Sequence, residues 1–328
     1  LNNEKGVFTL KSLKKISIFL VACLLVLSSF SFVGIKNVQA ADTDQAQYTI
    51  GTTKNIPSAV AQMGKDLNAY TNNNLNVDLK AYDSTKELNS AIADGTVNAA
   101  VTDLVNYAAI SKKHSNWKIA GTMPGYSGLV ANKKYKSVKK LKGKTIAVDK
   151  TDYSMFYLKK ALKKSRLKLS SVKLKQVDSE ADRVSQLKSG DVDAAVLQDP
   201  SMTEAKVNGA KVLNRDKISA DNGNVLIVNN DYAKKNVSNT NILCNVMKQE
   251  VKKINKGNMY IMLNKTFSNY GTSDKAVAKL NNMNVKFKTM HKVKKSDFKK
   301  AFKYAKQQKL YKGKINYKKA NMKLRQVK

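Results

Sequence analysis

The chain has 328 residues, with 60 lysines and arginines against 24 aspartates and glutamates, a formal net charge of +36. Its two cysteines exclude a disulfide scaffold, and its length allows two lobes with separate cores. Such a basic excess suggests nucleic acid first, but arginine is scarce, the lysines are spread along amphipathic segments, and no zinc finger, basic zipper or aromatic RNA-binding motif occurs, so no nucleic-acid partner is expected.

The N-terminus reads as a targeting segment. Lys5, Lys11, Lys14 and Lys15 precede Ile16–Ile35, which is uncharged and rich in Leu, Val, Ile and Phe. Val38-Gln39-Ala40 supplies small residues before Ala41, so residues 1–40 are expected to be a signal peptide cleaved after Ala40. Two alternatives stay open. Ile16–Ile35 is long enough to span a bilayer uncleaved, and Leu20-Val21-Ala22-Cys23 resembles a lipobox that would place a lipid on Cys23. Each places the rest of the chain outside the cytoplasm, secreted or at the cell surface. Removing residues 1–40 takes away five lysines and one glutamate and leaves +32. A surface of that sign fits anionic envelope polymers or lipid headgroups as diffuse partners.

From Gln47 onward, strand and helix patterns alternate. Gln47–Gly51 reads as a strand. Thr52–Pro57 is a polar loop opening a helix near Ser58–Tyr70. Leu75–Tyr82 alternates as a strand, and Ser84 with Glu87 forms a capping-box signal for the next helix. Asp94-Gly95 stops it, Val97–Val101 is a short buried strand, and Thr102-Asp103 open another helix. Trp117–Thr122 is a strand. Gly128–Asn132 is expected to begin a crossing into a second lobe. There, Thr145–Val148 is a strand, Met155–Ser165 a helix, Val172–Val177 a strand, and a helix from Glu180 leads to Gly190 and the strand Val192–Leu197. Ala210–Leu213 and Asn224–Val228 are further strands, the second returning the chain to lobe one. Asn239–Asn264 and Ser273–Met283 are helical, and Cys244 among Ile242, Leu243, Val246 and Met247 reads as a buried small hydrophobe. Residues 286–328 hold 17 basic residues and one acid, Asp297. Phe298, Phe302, Ala305 and Leu310 nonetheless form a helical stripe, with Ser296 as the expected N-cap, so this is read as a closing helix with a lysine-rich outer face.

One internal echo organises the chain. With an offset of 95, Ser90, Gly95, Val97, Ala99, Ala100 and Val101 match Ser185, Gly190, Val192, Ala194, Ala195 and Val196. Two similar α/β lobes would each present a polar strand end, Thr102-Asp103 and Gln198-Asp199, to a shared cleft.

These residues carry a family likeness. SVKKLKGKTIAVDKTDYSMFYLKKAL (137–162), LKSGDVDAAVLQDP (187–200) and DGTVNAAVTD (94–103) resemble motifs of ABC-importer solute-binding proteins, in the branch that binds sulfonates, taurine, nitrate and thiamine-pyrimidine precursors. The likeness runs from Tyr48 to Lys328, although Asn98 stands where the lobe-one motif often has Asp. It implies an α/β fold of the type II periplasmic-binding kind, with two lobes, two crossovers and a ligand cleft between them. The boundaries it suggests are 41–128 and 223–290 for lobe one, 129–222 for lobe two, and 291–328 for a basic C-terminal helix and tail. It further implies a monomer that delivers a small polar or anionic solute to an ABC permease in the membrane.

Four polar loops would face the cleft: Thr53, Lys54 and Asn55; Thr102 and Asp103; Thr151, Asp152, Tyr153 and Ser154; Gln198 and Asp199. The first three open helices, whose N–H groups and dipoles favour an anionic head such as a sulfonate, carboxylate or phosphate. Asp103, Asp152 and Asp199 point the other way, toward an amine or a pyrimidine. Tyr126, Tyr153 and Phe156 are candidate aromatic walls. His114 and His291 lie in lysine-rich stretches without a cysteine or histidine partner, and no triad, metal spacing or phosphate loop is present. No catalysis and no cofactor or metal are expected.

Overall fold

The computed structural model describes residues 47–257, 263–314 and 316–323. The expected signal peptide lies outside them. Among these residues no helix is long and apolar enough to cross a membrane.

Ten strands form two five-stranded sheets. The first has β1 (Tyr48–Thr53), β2 (Val77–Tyr82), β3 (Ala99–Asp103), β4 (Trp117–Thr122) and β10 (Asn224–Asn229), in the order β2-β1-β3-β10-β4. The second has β5 (Ser127–Ala131), β6 (Thr145–Val148), β7 (Lys173–Gln176), β8 (Ala194–Gln198) and β9 (Lys211–Arg215), in the order β7-β6-β8-β5-β9. In each sheet one inner strand runs against its neighbours: β10 against β3 and β4, β5 against β8 and β9. The chain crosses between sheets after β4 and after β9. Gly128–Asn132, expected to begin the first crossing, instead falls mostly within β5, because its apolar residues pair on both edges and are buried.

The sequence echo survives in three dimensions. Ile50 and Gly51 of β1 pair with Ala99 and Ala100 of β3; Ile146 and Ala147 of β6 pair with Ala194 and Ala195 of β8. The paired residues of β3 and β8 are 95 apart. The apolar parts of these strands, Ala99–Val101 and Ala194–Leu197, are buried on both faces, as parallel strands under helices require.

Six helices follow the carboxyl ends of the parallel strands. They are α1 (Ile56–Asp66), α2 (Thr85–Ala93) and α3 (Leu104–Lys113) after β1, β2 and β3, and α4 (Tyr153–Lys164), α5 (Glu180–Ser189) and α6 (Ser201–Val207) after β6, β7 and β8. Helices α7 (Asn230–Lys235), α8 (Val237–Asn255), α9 (Asn264–Asn269) and α10 (Asp274–Asn281) follow β10, and α11 (Lys295–Gln307) and α12 (Tyr317–Ala320) close the chain. Cys244 is buried on α8, and burial pushes its thiol up to about 12.

The stripe of α11 packs inward. Phe298, Phe302 and Ala305 are buried, and the Phe302 ring meets Tyr107 of α3 at 6.0 Å. Ser296 does not cap this helix, because α11 starts one residue earlier, at Lys295, with Lys294 in the cap position and no side-chain bond. Tyr304 of the same helix reaches Phe156 of α4, 5.0 Å between ring centroids, so α11 touches helices that follow strands of both sheets.

The second crossing is held open by Gly223. Its φ is +84°, and an added Cβ would lie 2.6 Å from the Tyr153 ring. Side chains rarely adopt that backbone and the ring leaves no room. Gly223→Ala is therefore expected to destabilise the fold by about 1–3 kcal/mol, read as a lower urea midpoint at unchanged m-value; a midpoint equal to the parent's would refute this account of the crossing.

Candidate functional site

A cavity of about 330 Å³ lies between the sheets, at the strand carboxyl ends where the helices begin. Its walls come from both halves of the chain, as expected where α/β topology switches direction. Contacts between the halves surround it. Ser84 and Ser179, the N-caps of α2 and α5, form an antiparallel bridge. Thr85 Oγ1 donates to Asp152 Oδ2 at 3.4 Å, Ile56 N–H to the Asp199 carbonyl at 3.1 Å, and Ser273 N–H and Oγ to Glu204 Oε2.

Of the residues nominated from the sequence, Thr53, Lys54, Asn55, Thr102, Asp103, Asp152 and Gln198 line the cavity. The other four turn to structural duty behind it. Thr151 N–H and Oγ1 both donate to Asp149. Ser154 bonds Asp152 and the Asp149 backbone. Tyr153 is buried against Phe156, its hydroxyl near Lys160 Nζ at 3.2 Å. Asp199 is buried, taking the Tyr126 hydroxyl on one oxygen and Thr203 N–H and Oγ1 on the other, at 2.8 and 2.7 Å. None of the three proposed aromatic walls lines the cavity; Tyr270 is the aromatic residue that does.

The three helix N-termini expected to receive an anion have their leading donors committed to the chain itself. On α1, Asn55 Oδ1 accepts Ser58 N–H, Asp199 takes Ile56 N–H, and Pro57 has none to give. On α3, Asp103 Oδ1 accepts Val105 and Asn106 N–H at 2.7 and 2.9 Å, and the Gly223 carbonyl takes Leu104 N–H. On α4, Asp152 Oδ1 accepts Ser154 N–H at 2.8 Å, and the Tyr153 backbone favours the charged form of the Asp103 carboxylate from the other half. Lys54, the expected point charge, is ion-paired with Asp83.

The residues that sequence reasoning missed sit in the first turns of α2 and α5: Asp83, Ser84 and Thr85, with Asp178, Glu180 and Arg183. The echo extended backward would have found the first of them. Asp83-Ser84 and Asp178-Ser179 are 95 apart, and both serines cap. Arg183 breaks the echo, because its counterpart is Leu88, a core residue. Arg183 is 1% exposed; its Nε donates to Val177, Nη1 to Val196 and Nη2 to Asp178 carbonyls, at 2.8, 3.0 and 3.2 Å. It ties the ends of β7 and β8 to α5.

Burial in this cleft raises the carboxyl groups. Asp152 is pushed up to about 6, with Asp149 adding repulsion and Arg183 opposing it. Glu180, whose Oε2 accepts Gln198 N–H at 2.9 Å, is pushed up to about 7, again against Arg183. Asp103 is raised by burial and then by Asp152. Among the described residues no three His, Cys, Asp or Glu side chains converge as a metal-holding group.

Two α/β sheets, each with one reversed inner strand, facing across a cleft, are the architecture of the periplasmic-binding proteins, and solved structures agree. The chain is similar to the alkanesulfonate-binding protein SsuA from Xanthomonas axonopodis pv. citri bound to MOPS (TM-score 0.72, 18% identity, 85% of this chain and 98% of that one). It is also similar to the periplasmic aliphatic sulphonate binding protein SsuA from Escherichia coli (0.69, 17%, 84% and 96%) and to the ligand-binding component of an ABC-type import system from Staphylococcus aureus (0.70, 14%, 84% and 96%). At these identities the likeness is one of fold. No curated protein matches the sequence. The NMT1/THI5-like family model matches residues 55–253, and the chain belongs to that family.

Two outcomes are expected. Arg183→Leu, which copies lobe one's residue, strips three carbonyls, two of them buried, of their Arg183 partners, at about 1–3 kcal/mol for each buried one left unpaired, so calorimetry should show a marked loss of stability; a neutral result would dismiss the tie. For Asp103, Asp152 and Glu180, the folded chain holds protons that the unfolded chain releases near pH 4, so their contribution is complete in acid and lost as pH rises through their raised values. The melting temperature of Asp152→Asn, measured beside the parent from pH 4.5 to 8, should fall less steeply with rising pH; parallel curves would contradict the assignment.

Proposed function

We propose that this protein is an extracytoplasmic solute-binding protein that captures a small polar molecule and presents it to the permease of an ABC importer. The cavity between the two sheets carries this reading. It is of a size for a small metabolite, it is polar, and opposite halves of the chain supply its walls, so hinge motion at the two crossings would open and close it. The NMT1/THI5-like family and the likeness to sulfonate-binding and import-system binding proteins support the same role. The protein acts as a monomer at the cell surface and does no chemistry on what it binds. Cleavage after Ala40, or retention of the leader as an anchor, sets whether it is released or tethered.

The test is ligand-linked stability. A ligand at about 100 times its Kd adds roughly 2.7 kcal/mol, so the dialysable, low-molecular-mass fraction of a rich growth medium should raise the melting temperature by several degrees, and the same fraction after passage over immobilised protein should lose that power. An unchanged melting temperature would remove the transport reading.

A further inference from the structure

Acidic residues are concentrated in this cavity against the grain of the chain. Of 24 acidic residues in the whole sequence, six line it, whereas only three of 60 basic residues do. In a protein of net charge +36, random placement would make the cavity basic. The three bases are Lys54, Lys188 and Arg183. Lys54 is ion-paired to Asp83, and Arg183 is bonded to three carbonyls. The leading helix donors that would hold an anion are spent as described, two of the three sets on carboxylates. One acceptor, by contrast, lacks a donor: Gln198 Oε1 is buried with no hydrogen-bond partner. A ligand entering here meets carboxyl groups from both halves and an unfilled acceptor, and must bring N–H donors of its own.

We infer that the solute is an organic cation, a protonated amine or amidinium on a small body, held by Asp152 and Glu180 of one half and Asp103 of the other. This rests on the solute-binding reading and narrows its substrate class. The carboxylates arrive from opposite halves, so a cation between them also offsets the repulsion that closing the cleft creates. Among the described residues no three His, Cys, Asp or Glu side chains form a metal-holding group, and the cation inferred here is organic. A solute with both charges would set its cationic end here.

The test is a calorimetric and thermal-shift screen at pH 7.5 of several hundred metabolites sorted by charge, including putrescine, agmatine and benzamidine, the uncharged benzamide, and ethanesulfonate and benzenesulfonate. Hits are expected among cations and zwitterions. Asp152→Asn, which keeps a capping side chain and removes the charge, should weaken them at least tenfold, and Asp152→Glu should recover part of the loss. Hits confined to sulfonates or uncharged compounds, or a hit that Asp152→Asn leaves unchanged or tightens, would overturn the cation assignment and leave the solute-binding role standing. No hit of any charge would remove both.

Discussion

A single carboxylate at Asp103 sets much of how the two halves of this molecule meet. A buried carboxylate must find donors, and Asp103 takes two from its own helix, while the Tyr153 backbone of the helix opposite also favours its charged form. The same group therefore finishes β3, starts α3 and faces the start of α4. Asp152 repeats the arrangement from the other side, capping α4 while accepting from Thr85 of α2. The strand ends that face the cleft are thus satisfied largely by each other, and the polar capacity left over is mostly acceptor.

That leftover defines the chemistry of the cleft better than the fold does. The architecture is shared with proteins that bind sulfonates, in which an anionic group must meet donors. Here the leading donors of α1, α3 and α4 are used up by Asn55, Asp199, Asp103, Gly223 and Asp152. One fold carries opposite selectivities when the residues just beyond the strands change, because the strands only aim them.

Much of this was legible in the sequence. The alternation of apolar strands and capped helices gave the α/β class, and the 95-residue echo gave two similar halves, because packing a parallel strand between a helix stop and a cleft demands the same glycine and alanines twice. Strand-end positions such as Thr53, Asn55, Asp103 and Asp152 could be nominated for the same reason. What was not legible depends on partners far apart in the chain. Asp199 looks like Asp103 in sequence, yet Tyr126 and Thr203 pull its carboxylate away from the cavity. Nothing in the local pattern singles out Arg183, and only the three carbonyls around it show why it is buried. The helix N-termini looked open to an anion because local pattern cannot show which donors the opposite half will claim.

The segregation of charge, lysine outside and carboxylate within, also governs the kinetics of capture. At long range a solute sees the net charge of the whole protein, and only near the mouth does it feel the walls. Beyond about a Debye length, near 8–10 Å at physiological salt, the surface charge is largely screened; closer in, a cation is first repelled by the lysine surface and then attracted by the carboxyl walls. Salt screens the outer barrier first, so it speeds the arrival of a cation even while it weakens its hold. An anion meets the reverse order: drawn quickly to the surface, then refused at the door. The sign of the salt effect on association rate therefore reports the charge of whatever this protein carries, without the solute being identified.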